Sequence, residues 1–179
     1  MGKLTVGSNP TASAMPYGTD ASPDGRAVPL TDDEAMGLAL AEAASATAHG
    51  DIPVGAVAVL NGRVIAARHN EREKSQDPTA HAEMLALSDA ATVVGNWRLS
   101  EVTLVVTLEP CPMCAGALIA ARLGRLVFGA IDMKAGACGS VYNLCADPRL
   151  NHEVEIVSGL RAAEAATQLT DFFESRRRG

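Results

Sequence analysis

No stretch of this 179-residue chain comes near the roughly 20 consecutive apolar residues that a membrane-crossing helix needs. The N-terminus has no apolar segment behind Lys3, so it does not read as a secretory signal. Cysteine is scarce, with four in the chain, which fits a reducing compartment, the cytoplasm, better than a disulfide framework. A basic excess is missing too: 15 Lys and Arg stand against 21 Asp and Glu, a net charge of −6. Binding to nucleic acid usually leaves a basic footprint, so any such partner would have to be held by a local patch. Arg176-Arg177-Arg178 is the obvious basic cluster, and it reads equally well as a solvated helix end that complements the helix dipole. There is no internal repeat and no sign of a second domain, and the length suits one domain with a substantial core.

Residues 1–30 are rich in Gly, Pro, Ser, Thr and Ala without helical or strand periodicity, and are expected to form a disordered leader. The folded domain is expected over 31–179. Thr31-Asp32-Asp33-Glu34 is a capping box that opens a helix ending near Gly50. Val54 to Leu60 reads as an apolar strand, Asn61-Gly62 as a type I′ turn, and Arg63 to Arg68 as the returning strand. A polar stretch from Asn70 leads to a helix that starts around Thr79–Glu83 and runs to about Val94. Trp97 follows it, read as a packing anchor. Val102 to Leu108 has the β-branched composition of a strand buried on both faces. A helix from Cys111 to Arg122, a strand from Leu126 to Ala130 and a glycine-rich loop from Asp132 to Gly139 come next. Glu153 to Val157 reads as a last strand, and a closing helix begins near Gly159. This order predicts an α/β sandwich on a mixed sheet, with the helices after His81 and Cys111 together on one face.

Two short motifs carry the chemistry. His81-Ala82-Glu83 supplies an imidazole and a carboxylate; Pro110-Cys111-Pro112-Met113-Cys114 supplies two thiols. Cysteines three apart at a helix start share a face, so both sulfurs can hold one ion, and a histidine from a second helix makes a third ligand. Three protein ligands leave the fourth tetrahedral position open, the mark of a catalytic rather than a structural zinc site. Glu83 lies about 200° around a regular helix from His81, a poor place for another ligand but a good one for a proton carrier. Alone, a C-x-x-C is as easily a redox pair or half of a structural site. The two motifs in this order are the pattern of the zinc nucleobase deaminases.

Further segments resemble the bacterial tRNA wobble-position adenosine deaminases from Thr31 to Arg178. They are Ile52-Pro53-Val54-Gly55-Ala56-Val57, Asp77 through Glu83, Thr107 through Ala117, Val127-Phe128-Gly129-Ala130, Asn151-His152 and Asp171-Phe172-Phe173. The resemblance implies a cytidine-deaminase-like three-layer sandwich, with a mixed five-stranded sheet and helices on both faces. It implies a homodimer with one zinc per subunit that converts adenosine to inosine at the first anticodon position of an arginine tRNA. Carried over by position, His81, Cys111 and Cys114 match the zinc ligands and Glu83 the proton shuttle. Asn70 matches a residue that binds the flipped base, Val54 a pocket wall and Asp132 a position beside the RNA. Phe172 and Phe173 fall in the terminal helix that lines the RNA groove, and Arg176, Arg177 and Arg178 are expected on phosphates. Ile131 and Met133 depart from some members. The small and apolar residues from Ala115 to Arg122 also suit a dimer face. Two rivals stand beside this reading: a free-base or nucleoside deaminase of guanine or cytosine type, and an inactive zinc-stabilised RNA-binding module. Cys138 is expected to be a spare thiol, Cys145 a small buried hydrophobe, His49 a helix-end residue, His69 a loop residue and His152 structural.

Overall fold

The computed structural model describes residues 28–178. Most of the leader expected over 1–30 therefore lies outside the described residues. Leu30 is already attached to the fold: its N–H donates to the Gly62 carbonyl at 2.9 Å, and its side chain packs on the core.

Helix α1 (Asp32–Ala46) starts with the capping box that the sequence predicts, Thr31 and Glu34 bonding reciprocally. A 3-10 turn, Thr47–His49, then closes on Gly50 in the left-handed region at φ 80°. Strands β1 (Gly55–Leu60) and β2 (Arg63–His69) are joined through Asn61 and Gly62, both at positive φ (52° and 71°), as a type I′ turn requires. A short helix α2 (Arg72–Ser75), α3 (Ala82–Val94), β3 (Val102–Leu108), α4 (Pro112–Ala120) and β4 (Arg125–Ala130) follow. Strand β5 (Glu155–Ser158) and α5 (Ala162–Arg178) complete the chain.

The sheet order is β2-β1-β3-β4-β5. Strand β1 is antiparallel to β2 and β3, whereas β3, β4 and β5 run parallel. Alternation along the central strands builds two cores. Ala56, Ala58, Leu104, Val106, Leu126 and Phe128 face α3 and α4; Val57, Val105 and Val127 face α1 and α5. This is the expected three-layer arrangement, and the two helices carrying the metal motifs do share a face. Helix α1 lies directly on β1: a Cβ at Gly55 would sit 2.0 Å from the Ala39 carbonyl oxygen, so only glycine permits the approach.

Four expectations need correction. Helices α3 and α4 begin one residue after His81 and Cys111, which are extended N-cap residues. The last strand is displaced to Glu155–Ser158 because the Val154 N–H is drawn to the Cys145 carbonyl at 3.0 Å before pairing with β4 starts. The closing helix waits until Ala162 because Gly159 and Arg161, at φ 87° and 51°, turn the chain first. Trp97 is not a packing anchor: it is 56% exposed, and the Arg98 guanidinium lies 4.6 Å from its ring centroid. The neighbouring Leu99 fills the core instead.

Candidate metal centre and active-site pocket

The chain reverses from strand to helix twice on the same side of the sheet, and each reversal presents a ligand. His81 and Cys111 occupy the N-cap positions of α3 and α4, and Cys114 lies in the first turn of α4. Pro112 at the first helical position fixes the backbone there without loss of a hydrogen bond, since that N–H would be unpaired in any case. Neither N-cap side chain caps its own helix; both turn toward the shared site. His81 Nδ1 is 3.7 Å from Cys111 Sγ and 3.5 Å from Cys114 Sγ. A tetrahedral zinc ion with Zn–S near 2.3 Å and Zn–N near 2.05 Å requires a nitrogen–sulfur separation of about 3.6 Å. The three donors therefore fit one zinc ion with little rearrangement. Among the described residues, they are the group of three His, Cys, Asp or Glu side chains whose ligand atoms come within 4.8 Å of one another.

The electrostatics lead to the same assignment. A hydrogen bond from Cys114, opposed by burial and aided by His81, holds the Cys111 thiol down to about 4. That same contact with Cys111, together with burial, pushes Cys114 up. Two adjacent thiols cannot both ionise against each other. A divalent cation removes the conflict, and the two helix N-termini favour the resulting charge. Glu83 lies beside this group but is not a member of it. Its side chain is nearly enclosed, at 4% exposure, and burial raises its carboxyl above the ordinary range.

A cavity of about 590 Å³ opens over the centre. His81, Glu83, Cys111, Val54, Asn70, Asp132 and Phe173 all line it. Cys114 lies beneath, fully buried. The structure does not bring the other expected contacts to this cavity. Phe172 is buried in a separate groove between α1 and α5, 5.4 Å from the Phe173 ring and edge-on to it. Arg176 lies 4.7 Å over Phe172 and donates to the Gly50 carbonyl. Arg178 pairs with Glu174 at 3.0 Å, and Arg177 is exposed at the helix end.

Several residues on the site were given no role at the level of sequence, although Ile131 and Met133 were noted there as departures. Arg72 and Lys134 bring positive charge to the cavity, and Ile131 and Met133, 59% and 71% exposed, give it an apolar rim. Buried Glu109 accepts from the backbone N–H groups of Asp132, Cys138 and Ser140, each at 3.0 Å, and so ties down the loop that walls one side. Its signal was present in Thr107-Leu108-Glu109-Pro110-Cys111, but nothing local reveals which amides it serves. Cys138 stays outside the metal group, with its sulfur 3.6 Å from that of buried Cys145. His152 is structural, bonded to the Leu123 carbonyl at 2.7 Å. His69 ends β2 rather than lying in a loop, and it bonds Glu42 at 2.7 Å.

A mixed five-stranded sheet that gathers one imidazole, two thiols and a buried carboxylate at the floor of one cavity defines the class of zinc-dependent deaminases with a cytidine-deaminase-like fold. The family model of the MafB19-like deaminases matches residues 30–177. The tRNA-specific adenosine deaminase of Bacillus subtilis is 47% identical over 150 residues, which is 83% of this chain and 93% of that protein. The protein of the same name from Haemophilus influenzae is 48% identical over 147 residues, 82% and 85% of the two chains. A structure solved in studies of A-to-I editing by tRNA:A34 deaminases superposes with a TM-score of 0.73 at 44% identity. It covers 75% of this chain and 98% of that one. A guanine deaminase from Nitrosomonas europaea superposes with a TM-score of 0.71 at 25% identity, over 95% and 96% of the chains. The chain belongs to the deaminase family that contains the tRNA-specific adenosine deaminases.

Proposed function

We propose that this chain hydrolyses adenosine to inosine at the wobble position of a tRNA, an arginine tRNA by the resemblance of its motifs, with one zinc per subunit. The observation that carries the reading is a metal-competent His81–Cys111–Cys114 group and a buried Glu83 in one cavity, within a chain 47% identical to a tRNA-specific adenosine deaminase. What zinc supplies when held there is acidity, lowering the pKa of water from about 15.7 toward about 7. Glu83 accepts the proton of the attacking water and delivers it to ring N1 as oxygen adds at C6. It then takes the proton of the new C6 hydroxyl and passes it to the departing amine, so that the C6 carbonyl forms as the amine leaves as ammonia. The raised Glu83 carboxyl suits both directions of transfer, since a group poised nearer neutrality gives and takes a proton with similar ease. Val54 and Asn70 hold the base, and Asp132 and Phe173 meet the nucleotides beside it. An anticodon wobble base is already unpaired, so presenting it to the cavity costs little.

The same reading makes the protein a cytoplasmic homodimer whose deaminase domain spans 31–179 behind the leader. No helix among the described residues is long and apolar enough to cross a membrane. The likeness to a guanine deaminase over nearly the whole chain keeps a free-base activity as the second reading. Sequencing tRNA treated with the purified protein, beside ammonia release from free guanine, cytosine and nucleosides, decides between them. Inosine at the wobble position with no turnover of free bases is the expected result; turnover of guanine alone would replace the first reading with the second. No ammonia from any of these substrates would leave a zinc-stabilised RNA-binding module.

A further inference from the structure

Asn70 lines the cavity, and an asparagine amide can present either its oxygen or its nitrogen to a ligand. What decides between them here is Asp51, whose side chain is fully buried at 0% exposure. Its carboxylate accepts from Glu73 N at 2.8 Å, Lys74 N at 3.0 Å, His49 Nδ1 at 2.9 Å and Asn70 Nδ2 at 3.3 Å. Burial works against ionisation, yet the Glu73 and Lys74 amides and His49 outweigh it and hold the carboxyl below the ordinary range. An ionised carboxylate can only accept. Asn70 must therefore turn its NH2 toward Asp51, whatever else it does. The Asn70 backbone is pinned as well, its N–H donating to the Val54 carbonyl at 2.9 Å.

One of the two amide hydrogens is thus committed to Asp51. The other hydrogen and Oδ1 remain for a base, as a donor and an acceptor side by side. The N6–N7 edge of adenine offers the complementary pair, an N6 donor and an N7 acceptor. The same edge of guanine, or of the deaminated product, offers two acceptors and would set an oxygen against Oδ1. We propose that Asp51 is a positioning residue that locks the Asn70 amide in the orientation reading the N6–N7 edge of adenine. This rests on the reading that adenine enters the cavity. It adds to that reading a source of discrimination between adenine and 6-oxopurines that touches neither base nor metal. Release of product gains from it too, because the new oxygen at C6 no longer matches.

The experiment compares adenosine with 7-deazaadenosine at the target position of an anticodon stem-loop, using kcat/KM for the parent, Asp51→Ala and Asn70→Ala. The ratio for each protein is independent of how much of it is folded, and the intrinsic effect of replacing N7 is common to all three and cancels. One neutral hydrogen bond gives about 5–10-fold. The preference for adenosine should fall by about that factor from the parent to Asp51→Ala, and by the same factor in Asn70→Ala. Should Asp51→Ala fail to fold, Asp51→Ser gives the same comparison. A preference unchanged within twofold between the parent and the Asp51 variant would reduce Asp51 to a purely structural residue and overturn the proposal. That result is distinct from a parent that deaminates no adenosine at all, which would overturn the functional reading as well.

Discussion

Replacing Glu109 by glutamine tests how the cavity wall is held. Glu109 is buried, with Oε1 accepting from Cys138 N and Ser140 N and Oε2 from Asp132 N. The loop closes so tightly over it that a Cβ on Gly136 would lie 2.3 Å from Oε2. Glutamine is nearly the same size, so packing is preserved and only the polar terms change. Its oxygen can stay with Cys138 and Ser140, but the new NH2 then faces the Asp132 N–H, donor against donor. One buried amide loses its partner and two others exchange a charged acceptor for a neutral one. Hydrogen bonds to charged groups are worth about 1.5–3 kcal/mol and an orphaned buried donor costs about 1–3 kcal/mol, so the sum is about 2–4 kcal/mol. At about 2–4 °C per kcal/mol for a domain of this size, calorimetry at saturating zinc should show Tm lower by about 4–16 °C. The loosened wall carries Asp132 and Lys134, so KM for the stem-loop should rise more than kcat falls. A Tm within about 1 °C of the parent would show that the loop does not depend on this carboxylate, and the argument would fail.

Three further outcomes follow from the metal centre and the terminal helix. Cys114→Ala should lose bound zinc and activity together by metal analysis, and full metal content in that variant would mean that the ligand set is wrong. Glu83→Ala should keep zinc and RNA binding while kcat falls by more than about 10²–10⁴-fold, the range for one proton transfer, because Glu83 acts in more than one; loss of metal would make it a ligand instead. Replacing Arg176, Arg177 and Arg178 by glutamine should weaken tRNA binding and lower the salt-dependence slope by about 2, at about 0.7 per phosphate contact with single strands. Unchanged binding at every salt concentration would make the tail a solvated helix end.

The fold and the metal centre were legible because their signals are local. A capping box, an Asn-Gly turn and a β-branched run each act over a few residues, and the structure places α1, the β1–β2 hairpin and β3 where those signals put them. His81 and the two cysteines were readable for a similar reason: ligand type and spacing fix metal chemistry before tertiary packing enters. Trp97 went wrong because a large apolar side chain says nothing about which neighbour, here Leu99, takes the core position. The roles of Asp51 and Glu109 were invisible for the opposite reason to His81. Each is a lone carboxylate, and its meaning lies in amides 22 to 31 residues away that only the folded chain brings to it.

That contrast bears on how an acidic chain can hold an acidic substrate. At a net charge of −6, long-range attraction does not favour RNA, and two of the three terminal arginines are partly committed, Arg176 to Gly50 and Phe172 and Arg178 to Glu174. Some of the negative charge is turned inward, however. Asp51 and Glu109 are buried and consumed by backbone amides, so they contribute order rather than a repulsive surface. Around the cavity the side chains that can meet a ligand include Lys134 and the apolar Ile131, Met133 and Phe173, with Arg72 beside them, paired with Glu73 at 3.0 Å. Such a rim suits a short single strand: bases pack against apolar and aromatic faces, while a few cations meet the backbone. Contacts made by stacking release no counterions, so the salt slope should report the cationic contacts alone.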